Sequence, residues 1–338
     1  KLSTLRVKCT GMTPLETHLH TFFTQSPLTV EHFMAACLYH PTHGYYTTGR
    51  NFTSPAHPLG LDFTTAPLLT PLFGATLGMW VTRQWHRLGQ PAAFTLIEAG
   101  PGNGALMHAL LTHLHTTSPA CAAACHATLI ETSPTLTALQ KTTLAAYPTV
   151  TWHTHLTPSP HHTLVIANEL LDAFPVKQFA STTERTILFT NGTFQFSHPD
   201  AAITREDSPT QTAWLTQLKT LPTLAAALLL DYGYTTPPTP AATLQALHHH
   251  PKVSAFHTPG HTDLPTHVHF THVATTLGAT CTLTDLTPFL LAHNLLTLAE
   301  PTIHTESTAA ALHRLLHPTA MGSLFKALEF IPNEAIEV

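Results

Sequence analysis

The chain has 338 residues, 43% of them hydrophobic and only 10% charged, with a formal net charge of −5. That length and apolar content suffice for one large α/β core with an insertion, or for two domains. The acid excess and the lack of a basic stripe argue against nucleic acid as the main partner, and no apolar run reaches the ~18 residues of a membrane-spanning helix.

The first eight residues are basic, free of acids, and too short and polar for a secretory signal. Residues 1–11 therefore read as an upstream extension or a clipped transit segment. Leu28 to Leu38 has helical apolar spacing, with Thr29 as a plausible N-cap. A Gly/Tyr/Pro-rich loop follows over His40 to Tyr46, and 49–71 is also loop-like. Phe73 to Leu88 reads as a helix. Strands are predicted at 94–98, 127–131, 149–153, 163–168, 186–190 and 226–231, with helices at 104–115, 134–146 and 210–220 between most of them. Such alternation implies a parallel, doubly wound sheet. A proline-rich loop at 234–241 interrupts it. Then come a helical segment 267–278, a strand 279–284, a helix 286–298, a helix 312–321 and a final apolar run, Phe325 to Ile331.

Three stretches carry chemistry. Leu96-Ile97-Glu98-Ala99-Gly100-Pro101-Gly102-Asn103-Gly104 leads directly into a helical pattern. Glycines at a strand-to-helix turn permit positive φ and let a ligand approach the main chain. The G-x-G-x-G spacing after Glu98 is the form used by S-adenosylmethionine-dependent methyltransferases. Dinucleotide oxidoreductases use G-x-G-x-x-G and hold a pyrophosphate on the helix N-terminus. The next predicted strand ends in Glu131, at the distance where such sheets place a carboxylate on a ribose diol. Glu131 could equally cap the helix that starts at Ser133-Pro134.

The third stretch, Leu164 to Pro175, is a buried-strand run ending in Asn168-Glu169, with Asp172 in the same turn. Ligands in open α/β sheets sit at the carboxyl ends of strands. Carboxylates there suit a guanidinium, which stays protonated and offers a planar fork of donors. Capping of the following helix is the plainer role for the three residues. Asp231, after Leu228-Leu229-Leu230, either faces the site or holds a turn. The 28 histidines are spread along the chain rather than set at ligand spacing. They read as compositional bias, with His248-His249-His250 at a helix end, and no metal site is expected. Cys121-x-x-x-Cys125-His126 is half of a ligand pattern without a second half, and reads as small apolar packing. Five cysteines form no disulfide framework in a chain this long, which suits a reducing compartment.

Several clusters occur together in order: Tyr39-His40-Pro41-x-His43-Gly44-Tyr45-Tyr46, Asp62-Phe63-Thr64-Thr65-Ala66-Pro67, the Glu98–Gly104 loop, Ile130-Glu131-Thr132-Ser133-Pro134, Asn168-Glu169 with Asp172, Asp231-Tyr232-Gly233, Asp263-Leu264-x-x-His267-Val268 and Met321-Gly322-x-Leu324-Phe325-Lys326. In this combination the chain resembles the MidA family of methyltransferases, whose mitochondrial members assist assembly of respiratory complex I. The resemblance runs from about Pro14 to Ile331.

It implies a Rossmann-like class I methyltransferase core, an α/β fold with a doubly wound, mostly parallel seven-stranded sheet. An N-terminal helical extension (12–90) would precede the core (91–338), which would carry an inserted helical subdomain at about 235–278. It implies S-adenosyl-L-methionine as cofactor, held by Glu98, Gly100, Pro101, Gly102, Gly104, Glu131, Asn168, Asp62 and Thr65. Glu169 and Asp172 would be catalytic. The substrate would be a protein, with symmetric dimethylation of an arginine on a complex I subunit. The location would be cytoplasmic in a bacterium and the mitochondrial matrix in a eukaryote. The chain departs from the family pattern at Leu61, where Gly is usual, and at Leu68, where Glu is usual. The competing readings are a non-catalytic assembly factor that binds a partner chain and a small-molecule methyltransferase.

Overall fold

A computed structural model describes residues 13–23, 27–49, 64–190, 192–249, 251–278 and 280–332. Asp62 and Leu61 lie outside the described residues. Seven strands build the central sheet: β1 (Phe94–Ala99), β2 (Cys125–Ile130), β3 (Thr151–His153), β4 (Thr163–Asn168), β5 (Leu224–Tyr234), β6 (Cys281–Asp285) and β7 (Phe325–Phe330). Their spatial order is β3-β2-β1-β4-β5-β7-β6. Strands β1 to β5 run parallel. Only β7 is reversed, pairing antiparallel with both β5 and β6. A two-residue strand, Val268–His269, extends the far end of β5.

Burial explains why β1, β4 and β5 read as continuous apolar runs. A parallel sheet is covered on both faces, so successive residues must both be apolar. Leu96, Leu164 and Leu228 enter one core cluster, whereas Ile97, Val165 and Leu229 enter the other. The first cluster is covered by α3 (Pro71–Arg87), α4 (Ala105–Thr117), α8 (Leu286–Ala292) and α9 (Glu306–Leu316). The second is covered by α6 (Pro209–Lys219) and α7 (Phe270–Leu277). Helix starts follow ordinary capping: Thr70 accepts from Leu72 N at 3.3 Å, and Ser208 accepts from Gln211 N at 3.2 Å. Between α3 and α4, a Cβ at Gly74 would stand 2.6 Å from that of Ala109, so the two helices meet at van der Waals contact there.

A third cluster lies off the sheet. It joins α1 (Pro14–Phe23) and α2 (Val30–Tyr39), through Leu15, Leu19, Phe33, Met34 and Leu38, to Ile187, Ala246 and Leu264. Thr29 caps α2 as its spacing predicts, accepting from His32 N. The N-terminal helices thus pack on the segments between β4 and β5 and between β5 and β6, and the three together roof the carboxyl ends of β1, β4 and β5.

The structure corrects three expectations. Residues 186–190 are not in the parallel sheet; they pair antiparallel with 28–29 and 193–196 in a small sheet of their own. The insertion after β5 is not helical over 235–267, where the chain is irregular and held by isolated bridges from Leu247 to Lys252 and Asp263. Its six prolines explain this, since each removes a backbone donor and constrains its neighbour. Helix begins only at Phe270, so His248 and His249 are not at a helix end.

Candidate active site

Strand β1 stops at Gly100, and the chain turns through the glycine loop into α4. Gly100, Gly102 and Gly104 all have positive φ, at 70°, 54° and 84°, which L side chains adopt at a cost. A Cβ on Gly100 would also sit 2.9 Å from Leu170 Cδ1. The loop is closed by Gly104 N donating to Pro101 O (2.8 Å) and Ala105 N to the Asn103 side chain (3.0 Å). Beneath it, Glu98 is 3% exposed. Its Oε2 has no hydrogen-bond partner. Burial pushes the carboxyl up to about 8, and the Met107 backbone N–H of α4 opposes that shift.

The carboxyl end of β2 places Glu131 beside this loop. Its Oε1 accepts from Ser133 N at 2.7 Å, and its Oε2 from Gln140 Nε2 at 3.0 Å. The cap of α5 (Pro134–Thr143) is Ser133, whose hydroxyl accepts from Leu136 N. Glu131 is therefore fixed as an acceptor rather than used as the helix cap. Gln140 is fully buried. Its amide also donates to Gly102 O at 2.8 Å and accepts from Trp152 Nε1 at 3.1 Å.

Strand β4 ends in Asn168, and Glu169 follows at φ 51°. A non-glycine residue in that region is uncommon and occurs where surroundings enforce it. Here Glu169 N donates to Leu230 O at 2.9 Å. Glu169 Oε1 accepts from Ala66 N (3.0 Å) and Asn168 Nδ2 (3.1 Å). Burial is the largest influence on this carboxyl and lifts it to about 7. Asn168 Oδ1 is buried without a partner. Asp172 is pushed far up by burial and by the charges of Asp231, Asp263 and Glu169. Asp231 is fully buried and accepts from Leu171 N, Asp172 N and Tyr232 N. Of its two readings, the turn-holding one describes its contacts.

These strand ends open into one cavity of about 1080 Å³. Glu98, Gly100, Pro101, Gly102, Glu131, Asn168, Glu169, Asp172 and Thr65 all line it, as sequence reasoning placed them together. Gly104 lies behind, packed on Gln140. Leu68 lines the cavity too, so its departure from the family pattern changes the cavity wall. Other lining residues were not anticipated: Tyr39, Tyr46, Trp214, Gln245, Lys252 and Arg314. They come from four separate segments and share no spacing. Tyr46 donates to Asp263 Oδ1 at 2.9 Å, and Tyr39 to Ala173 O at 2.8 Å. Gln140 carried a weak signal, as a polar residue on the core side of a helix next to an acid-tipped strand.

A profile of the family described as "Putative S-adenosyl-L-methionine-dependent methyltransferase" matches residues 76–201 and 193–288, more than half of the chain. The chain belongs to this family. Among solved structures it is similar to a Burkholderia thailandensis protein crystallised with S-adenosyl-homocysteine, at 25% identity and a TM-score of 0.80, covering 94% of this chain and 92% of that one. A native structure from the same organism superposes with a TM-score of 0.79, also at 25% identity and covering 94% and 91%. Among curated proteins, it is similar to the mitochondrial protein arginine methyltransferase NDUFAF7 of Mus musculus, 29% identical over 51% of this chain and 44% of that protein. The Drosophila melanogaster homolog is 31% identical over 44% of this chain and 38% of its own. The match thus spans less than half the length of these curated relatives.

S-adenosyl-L-methionine is the cofactor of this methyltransferase family, and the cavity fits it. Two buried acceptors, Glu98 Oε2 and Asn168 Oδ1, lack donors in a cavity whose glycine loop leaves the main chain open to close approach. An ammonium and hydroxyls supply such donors. Among the described residues no helix is long and apolar enough to cross a membrane.

Proposed function

We propose that this chain transfers methyl groups to an arginine guanidinium on a partner protein, with symmetric dimethylation of a respiratory complex I subunit as the specific case. The observation that carries this reading is the carboxylate pair Glu169 and Asp172, lining the same cavity as the glycine loop. The curated relatives named as protein arginine methyltransferases support the choice of substrate. Their mitochondrial naming supports a matrix location for a eukaryotic chain.

When bound, the cofactor supplies a methyl carbon on a sulfonium, an electrophile that needs no activation by the protein. Gly100, Pro101, Gly102, Gly104 and Thr65 would shape its seat, together with Asp62, which lies outside the described residues. Glu98 and Asn168 would take its ammonium side, and Glu131 its ribose hydroxyls. The rest of the work is positioning. Glu169, whose Oε1 is already anchored by Ala66 N and Asn168 Nδ2, keeps Oε2 for a guanidinium N–H. Binding there turns one guanidinium nitrogen toward the cofactor end of the cavity. Asp172 takes the proton that this nitrogen releases. Burial beside three other acids gives it a high proton affinity, and entry of the guanidinium cation favours its ionised form beforehand.

The test is transfer of labelled methyl from S-adenosyl-L-methionine to arginine-containing proteins, followed by acid hydrolysis and separation of methylated arginines. Labelled symmetric dimethylarginine supports the proposal. Label found only on lysine, on carboxyl groups or on small molecules overturns it.

A further inference from the structure

Two cations line the cavity without a counterpart in the reaction just described. Arg314 projects from α9, and Lys252 from the irregular segment after β5. Both side chains are exposed. Neither takes part in a salt bridge among the described residues, whose three ion pairs lie elsewhere. Arg314 acts electrostatically on Glu169 and Tyr232, so it stands at the substrate side of the acidic floor. Lys252 acts on His267, which bonds to Gln245 at 2.7 Å in the cavity roof. The cavity therefore carries most of its acids at or just after the strand ends, with Asp263 on the irregular segment, and two cations without a salt bridge among the described residues on the surrounding elements. Placing a like charge beside a cationic target costs binding unless that cation meets an anion of its own.

We propose that Arg314 and Lys252 recognise acidic residues flanking the target arginine, so that the substrate is a peptide segment with a basic residue next to acids. This rests on the reading of the cavity as an arginine methylation site. It goes further in assigning sequence preference to two residues outside the strand-end motifs. Exposed ion pairs are weak one at a time and screened by salt. The expected preference is about fivefold to tenfold, and it shrinks as salt rises.

The experiment uses the full chain and two synthetic peptides that share one arginine but carry glutamates or glutamines on either side. Binding is measured by fluorescence anisotropy, and transfer by label incorporation. The glutamate peptide should bind about fivefold to tenfold more tightly and show the gain in KM rather than kcat. In the double variant Arg314→Glu, Lys252→Glu the preference should vanish, and a lysine-flanked peptide should now bind better. S-adenosyl-homocysteine affinity and the melting temperature should be unchanged. Equal wild-type binding of the two peptides overturns the proposal. So does loss of S-adenosyl-homocysteine binding in Arg314→Gln, which would place Arg314 on the cofactor. Transfer to neither peptide, with the binding preference intact, supports the docking proposal and overturns the arginine methylation reading instead.

Discussion

The Gln140 amide nitrogen bridges Glu131 Oε2, at 3.0 Å, and the Gly102 carbonyl, at 2.8 Å. One buried side chain thereby sets the spacing between the glycine loop and the acid at the end of β2. Trp152 of β3 holds the same amide from the other side, through its indole N–H.

Replacing Gln140 with leucine should uncouple these elements. Three part-buried groups would lose their partner, each at up to about 1–3 kcal/mol when left unpaired. The expected result is a lower melting temperature and S-adenosyl-homocysteine affinity weakened about tenfold or more. Isothermal titration beside a thermal melt checks both. Unchanged affinity would show that the loop and Glu131 hold their places without Gln140.

Gly102→Val forces a β-branched residue into φ 54°, a region closed to such side chains. S-adenosyl-homocysteine binding should be lost while the far-ultraviolet circular dichroism stays native, because the loop is a turn between intact elements. Binding of ordinary strength by this variant would remove the glycine loop from the cofactor site.

Glu169→Gln keeps the shape of the side chain and removes its charge. S-adenosyl-homocysteine binding should persist, whereas methyl transfer to an arginine peptide should fall at least about a hundredfold. The free carboxyl is lifted to about 7, and the ionised form is the one that binds a cation. Wild-type kcat/KM should therefore rise with pH through about 7 and then level off. A flat profile between pH 6 and 8 would dissociate Glu169 from substrate binding.

Glu98 gives a stability test that needs no substrate. Its folded value of about 8 stands above the ordinary 4.5. Between these two values the folded chain holds a proton that the unfolded chain has released. This carboxyl therefore favours folding most at and below about pH 4.5, and its contribution falls as pH rises toward 8. Glu98→Gln should gain stability relative to the wild type over that window, by order of a few kcal/mol at pH 8. Urea titrations of both proteins at pH 6 and 8 give the difference, in which the many histidines cancel.

Gly74→Val tests the fold apart from the site. The added carbons must occupy space 2.6 Å from Ala109 Cβ and 3.0 Å from the Leu106 carbonyl. Overpacking of this kind costs about 1–3 kcal/mol. The denaturation midpoint should drop accordingly, with no change in S-adenosyl-homocysteine affinity at low denaturant.

The elements legible in the sequence are those whose cause is local. β1, β4 and β5 announce themselves because both faces of a parallel strand are buried, as Leu96 and Ile97 show by entering opposite cores. The glycine loop is readable because positive φ at Gly100, Gly102 and Gly104 leaves few alternatives to glycine. The acids at 98, 131 and 169 are readable because they stand at the close of apolar runs, at the carboxyl ends of strands where ligands bind. Local pattern therefore determined the fold class, the glycine-loop end of the cavity and the carboxylates facing it.

Partnership between distant segments was decided only in three dimensions. Residues 186–190 alternate like any strand, and nothing local shows that they pair with 28–29 rather than with the central sheet. Asp231 ends an apolar run as Glu98 does, yet it turns to three backbone N–H groups instead of the cavity. Tyr46, Lys252 and Arg314 line the cavity from three separate segments, and Gln140 braces it from a fourth through Gly102 and Glu131. Their roles depend on long-range packing of the N-terminal helices and the inserted segments over the sheet, and such packing leaves no periodic trace along the chain.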